Sequence, residues 1–385
     1  MTSHRPNKAP KWLVILLAFW AISCEQEIQN EEMMVSPYSF LLGAYTGQDT
    51  EGIGYLEFDP EIQLLRTQII AKGVHNPSFV IANKTQTLVF AVEETAGEQG
   101  GKVKSFTFDR GTNTLELIDT KDSYGDHPCY LTLDPSEEFL IVGNYSSGNF
   151  SVYKLNQGKM EWVQTIQHEG QSINPQRQNQ AHVHSLVFHP EGKHLLVGDL
   201  GTDKIHLYEF NPSFAVPFQH ANPSYVEVSA GAGPRHLAIY PNGQFVYLIH
   251  ELSAEIGVYR FDEGKMQVIS QVPLTGKEFV GNVGAAEIRI SPDAKHIYAS
   301  NRGDANEISV YEIGKEGSLK FVQRIKSGGE MPRNFILTKD GKYLLAAHQA
   351  SNNITVFERD HKTGVLEPLG LEVKFEKPVY FFGLD

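Results

Sequence analysis

The apolar residues of this chain fall into short β-branched and aromatic runs bounded by Gly, Asn and Asp, which is the punctuation of strands rather than helices. A turn marker recurs among them: Asp134-Pro135, His189-Pro190, Tyr240-Pro241 and Ser291-Pro292, with degenerate copies at Asn83-Lys84 and Thr338-Lys339. Positions 84, 135, 190, 241, 292 and 339 are 51, 55, 51, 51 and 47 residues apart. After each of the last five markers the pattern predicts one strand (139–142, 195–197, 245–249, 297–299, 343–346). Across a Gly/Asn/Ser loop it predicts another (149–155, 205–210, 256–261, 308–313, 354–358). With one strand before the marker and one closing the unit, each repeat reads as a four-stranded sheet of about 50 residues, the size of a propeller blade.

The two ends of the chain complement each other. Lys377-Pro378-Val379-Tyr380-Phe381-Phe382-Gly383-Leu384-Asp385 resembles the segment His127-Pro128-Cys129-Tyr130-Leu131-Thr132-Leu133-Asp134, which opens a unit. Phe40-Leu41-Leu42-Gly43-Ala44-Tyr45-Thr46 resembles Leu140-Ile141-Val142-Gly143-Asn144-Tyr145-Ser146, the second strand of that unit. A repeat split between the termini is how a ring of blades closes. Six internal units and the split one make seven. The expected fold is an all-β seven-bladed β-propeller, with its last blade closed by N-terminal strands and a C-terminal inner strand. Length alone permits two or three domains, but the unbroken period over 38–385 predicts one.

Residues 1–23 are foreign to the repeat. Arg5, Lys8 and Lys11 precede an apolar run at 12–22, which ends at Ser23-Cys24. This arrangement resembles a bacterial lipoprotein signal cleaved before Cys24, with Ala21 standing where such signals usually carry Leu. An ordinary secretory signal is the alternative, and the run is short for a transmembrane helix. The expected product is exported and lipid-anchored to a bacterial membrane on the periplasmic or cell-surface side. Cys24 is its lipidation site, residues 24–37 a polar tether, and 38–385 the propeller. Cys129 is the only other cysteine, so neither an intramolecular disulfide nor a cysteine metal cluster is expected. The net charge of −13 becomes −16 once the three basic residues of the leader are lost. A surface that acidic disfavours nucleic acid and anionic lipid, leaving the anchor as the membrane contact. A monomer is expected.

In a propeller blade the inner strand lines the central channel and begins on the face where the loop between the second and third strands lies. Two columns of residues therefore meet at one mouth. The inner-strand starts are Ser78, Cys129, His184, Arg235, Ala286, Arg333 and Val379. The positions just beyond the second strands include Tyr45, Glu94, Tyr145, Glu251 and Arg302. The later blades each carry a different ionisable group and the early ones are blander, an asymmetry that suits a single off-centre site.

Six motifs stand in order at blade spacing. They are Gln180-Ala181-His182-Val183-His184-Ser185, Ala232-Gly233-Pro234-Arg235-His236, His250-Glu251-Leu252-Ser253, Ala285-Ala286-Glu287-Ile288, Ala299-Ser300-Asn301-Arg302-Gly303 and Pro332-Arg333-Asn334-Phe335. With Gly198-Asp199-Leu200-Gly201-Thr202-Asp203, they resemble the seven-bladed lactonase family typified by bacterial 6-phosphogluconolactonase, itself related in fold to fungal carboxymuconate-lactonising enzymes. The resemblance runs from about residue 38 to the end; Ala181 replaces the Pro common in the family. It implies a lactone hydrolase acting on a small sugar lactone, with His184, Arg235, Glu251 and Arg302 as the catalytic group.

The residue types agree with that chemistry. Opening a lactone needs a base to activate water, a cation or donor at the developing oxyanion, and groups that orient hydroxyls. Either Glu251 or His184 can serve as the base, while Arg235 and Arg302 can stabilise the oxyanion. His182, Glu287, Asn301 and Arg333 are candidate substrate-binding residues, with His182 also suited to orienting His184. His236, directly after Arg235, is expected to face the other side of its strand, and Asp199 to hydrogen-bond its loop. His189 and His194, at the turn-marker end, are expected to face solvent. Converging arginines disfavour a divalent ion, so no metal or cofactor is expected. A cycloisomerase using the same group, or a propeller that only binds a ligand, are the competing functions.

Overall fold

The computed structural model describes residues 1–3, 37–47 and 52–384; the apolar run at 12–22, Cys24 and nearly all of the tether lie outside them. Among the described residues 28 strands form seven four-stranded antiparallel sheets. Six sheets are continuous in sequence: blade one from Val80 to Asp122, two from Pro128 to Gln167, three from Val183 to Glu227, four from Pro234 to Pro273, five from Ala285 to Lys326 and six from Pro332 to Lys374. The seventh sheet is the split one. Its inner strand is Pro378–Leu384, paired with Tyr38–Ala44 in the register Ser39 to Leu384, Leu41 to Phe382 and Gly43 to Tyr380. The strands Gly52–Asp59 and Leu64–Lys72 complete it.

Burial explains the hydropathy pattern strand by strand. The second strands Phe139–Asn144, Phe245–His250, His296–Asn301 and Tyr343–His348 are buried at every position, because each blade packs on both faces against its neighbours. They read as continuous apolar runs for that reason. The outermost strands, such as Lys265–Pro273 and Leu366–Lys374, face solvent and carry mostly polar residues. The core is seven clusters, one per junction between adjacent blades. The junction of blade six with the split blade joins Leu345, Ile354 and Val356 to Phe40, Leu42 and Phe381, where Phe40 and Phe381 meet edge to face at 6.1 Å. Fully burying one such side chain stabilises the fold by about 1.5–3 kcal/mol. His189 departs from expectation: it is buried, stacked at 4.0 Å on Phe261 of the next blade and bonded to the Gly243 carbonyl.

One irregularity matters for function. In six blades the ladder between the inner and second strands breaks at the start of the inner strand. The residues left out of register are Cys129, His184, Arg235 with His236, Ala286 with Glu287, Arg333, and Val379. An unpaired residue in such a bulge escapes the strict alternation of side chains. The sequence columns expected at the channel mouth therefore coincide with bulges.

Candidate active site

Cys129, His184, Arg235, His236, Arg333 and Val379 line an axial cavity together with Ser78, Phe79, Glu94, Asn334 and Tyr380. The enclosed space is about 20 Å³, room for one water molecule. His236 corrects the expectation from alternation. Because the bulge spans both positions, Arg235 and His236 reach the channel together, and the His236 ring lies edge-on to His184 at 5.3 Å. Gly198 allows this close packing: a Cβ there would lie 2.7 Å from Ser185 Oγ and 3.0 Å from the Arg235 carbonyl oxygen.

Glu251 sits in the loop after the second strand of blade four, its amide bonded to the Gly233 carbonyl. Three guanidinium groups converge on its carboxylate. Oε2 accepts from Arg235 Nε at 2.9 Å and from Arg302 Nη2 at 3.0 Å; Oε1 accepts from Arg177 Nη2 at 2.6 Å. His184 Nε2 lies 3.9 Å from Oε2. The structure thus brings His184, Arg235, Glu251 and Arg302 together at one rim, from blades three, four and five. The arginines are themselves fixed by backbone. Arg235 Nη1 donates to the Ala286 carbonyl, and Arg302 donates through Nε to Gly284 O at 2.8 Å and through Nη2 to Ala285 O at 3.3 Å.

Electrostatics assigns protonation states. Burial alone would raise the Glu251 pKa, but Arg302, Arg235, His184 and Arg177 hold it well below the usual carboxylate range. Burial, followed by Arg235 and His236, pushes His184 well below 6.5 against the opposing pull of Glu251. Its imidazole is therefore neutral near pH 7, and Nδ1 is buried without a hydrogen-bond partner. Burial with Arg302 and Arg333 nearby brings Arg235 down to about 9, which still leaves it cationic at neutral pH.

The remaining candidates occupy other places. His182 stacks on Tyr145 at 4.4 Å, its ring Nδ1 is 3.0 Å from the Tyr145 carbonyl oxygen, and its amide donates to Asp199. It braces the Tyr145 ring, whose edge meets His184 at 5.3 Å. Glu287 contacts His236 at 3.3 Å, Asn334, and Arg289 at 3.8 Å. Asn301 accepts from the Gly284 amide at 3.0 Å and so holds the loop that Arg302 also grips. Arg333 donates to the Tyr45 hydroxyl at 3.2 Å, and that hydroxyl bonds Glu94. Ser78 also donates to Glu94.

Arg177 was not legible in the repeat. It lies on the connection between Gln167 and Val183, within the longest marker-to-marker step, and insertions of that kind gather on one face of a propeller. The unusual step was the signal available. That connection is anchored by His168, whose Nδ1 is 3.0 Å from Asp199 Oδ2, while Asp199 Oδ1 accepts the amides of His182, Gly201 and Thr202. His168, Asp199 and His206 place three donor atoms within 4.8 Å of one another. The two rings are tilted at 30° with centroids 3.8 Å apart, and both His168 nitrogens are engaged, Nδ1 with Asp199 Oδ2 and Nε2 with the Tyr208 hydroxyl. The trio reads as a loop anchor.

Known proteins share this fold. A family described as lactonase, 7-bladed beta-propeller, matches residues 39–382. The 6-phosphogluconolactonases of Formosa agariphila and Bacillus subtilis are 32% and 30% identical to the chain. They cover 86% and 90% of it, and 95% and 98% of their own lengths are aligned. The structure of the Pseudomonas aeruginosa periplasmic gluconolactonase superposes with a TM-score of 0.86 at 31% identity, covering 91% of this chain and 99% of that one. The chain belongs to the seven-bladed β-propeller lactonase family and is a lactone-hydrolysing enzyme.

Proposed function

We propose that the axial site opens the ring of a sugar lactone of the aldonolactone type, with His184 as general base. The observation that carries this assignment is the pairing of a neutral, buried His184 with a Glu251 whose two oxygens are already occupied by arginines. A carboxylate so stabilised in its ionised form is a weak base, whereas the imidazole retains a nitrogen without a partner. The cavity beside it has the dimensions of one water molecule.

In this reading the water oxygen attacks the lactone carbonyl carbon as His184 takes its proton. The tetrahedral oxyanion forms against Arg235 and Arg302, which are already oriented by Glu251 and by backbone carbonyls. The bond from the carbonyl carbon to the ring oxygen then breaks, and the imidazolium returns its proton to that oxygen. The product is an open-chain hydroxy acid, which releases a proton at neutral pH. Glu251 holds the arginines and stabilises the imidazolium. Alkali uptake at constant pH, with gluconolactone and 6-phosphogluconolactone, should exceed the spontaneous rate in proportion to enzyme concentration. No acceleration with either lactone would sink the assignment.

The N-terminal residues support a second proposal, that the protein is exported and anchored through a lipid on Cys24 as a monomer. Three basic residues, an apolar run and a small residue before the cysteine carry it. Expressed in a bacterium, the C24S chain should move from the detergent-extracted membrane fraction to the soluble fraction. Equal partitioning of both chains would refute the anchor.

A further inference from the structure

We propose that Arg177 is a specificity residue that leaves Glu251 to grip an anionic substituent of the incoming lactone. This rests on the lactonase reading and extends it to substrate class. Three arginines touch the Glu251 carboxylate, yet they are not alike. The side chain of Arg235 is 2% exposed and that of Arg302 10%, and both are tied to backbone carbonyls. The Arg177 side chain is 42% exposed, at the solvent side of the same carboxylate. It holds Glu251 Oε1 and the Tyr145 hydroxyl, at 2.6 and 3.3 Å, through the single nitrogen Nη2. A guanidinium presents five N–H donors in a planar fork, so this contact uses one corner of a bidentate binder.

Charge points the same way. Arg177, Arg235, Arg302 and Arg333 stand at this mouth with the carboxylates Glu251 and Glu94, while the neighbouring Glu287 is matched by Arg289 at 3.8 Å, leaving a surplus of two positive charges on a chain whose net charge is −13. Glu251 would keep Arg235 and Arg302 if Arg177 departed, so the exchange strands no buried charge. A cavity of about 20 Å³ admits water but no sugar ring, so the lactone must sit at the rim, where the half-exposed Arg177 holds Glu251. The shared chemistry is a phosphate or a carboxylate on the sugar, since a guanidinium binds both bidentately.

The test compares three lactones of one size class: neutral gluconolactone, 6-phosphogluconolactone, and a carboxylate-bearing glucarolactone. For the wild type, kcat/KM should be higher for at least one anionic lactone than for gluconolactone, and which one identifies the anion. In R177Q that preference should fall tenfold or more, carried by KM rather than kcat, and R177K should restore part of it. A preference for the neutral lactone, or a parallel loss on all substrates, would overturn the proposal; in the second case Arg177 merely supports Glu251. If the wild type opens no lactone, the lactonase reading fails by itself. Titration with inorganic phosphate then decides Arg177: heat of binding that R177Q abolishes sustains the anion site, and equal or absent binding in both proteins ends it.

Discussion

At the rim of the channel one carboxylate organises three guanidinium groups, and the balance of burial against charge supports the proposal that His184 rather than Glu251 is the base. Glu251 is 5% exposed, but Arg302 and Arg235 overcome the cost of burying its charge. His184, equally buried, is lowered first by burial and then by the Arg235 guanidinium, and remains neutral. Under that proposal proton acceptance needs the neutral imidazole, and the active form persists until the pH falls through the pKa of His184. Because that pKa is held well below 6.5, kcat/KM should stay level from about pH 8 down through 6.5 and decline only at more acid pH. An acid limb centred at 6.5 or higher would show that a different, unperturbed group is the base. His184, Arg235, Glu251 and Arg302 were legible in the sequence because each occupies a fixed offset from a turn marker. The proposed preference for His184 over Glu251 as base was not, since it rests on arginines from three separate segments.

The elements divide between those that periodicity describes and those that break it. Strand order and the split blade follow from the hydropathy repeat, because a sheet packed on both faces must be apolar throughout. Alternation failed at His236, where the bulge after Pro234 puts two consecutive residues on the channel side. It could not reach Arg177, which lies in a connection outside the repeat. The closing strand carries a direct test of how the ring is held. Phe381 is fully buried against Phe40, Leu42 and Leu345 at the junction with blade six. Phe381→Ala should destabilise the protein by about 3–5 kcal/mol, read as a lower denaturant midpoint at unchanged slope. A cost below about 1 kcal/mol would mean that this strand contributes little to closure.

For the whole molecule, the ring converts sequence separation into proximity. His184 comes from blade three, Arg235 and Glu251 from blade four, and Arg302 from blade five; the split blade and blade six bring Tyr45 and Arg333 to the same mouth. The acidic exterior and the arginine-rich rim are opposed in sign, so an anionic molecule is repelled by the general surface and favoured where these arginines converge. The ring would be an inert scaffold if that convergence did no chemistry. The deciding measurement is the rate of lactone opening by His184→Gln, a substitution that preserves side-chain polarity, alongside a melting curve to confirm folding. Loss of a general base predicts a fall of about 10²–10⁴-fold in kcat with the melting transition intact. A folded His184→Gln protein that turns over at the wild-type rate would contradict the account.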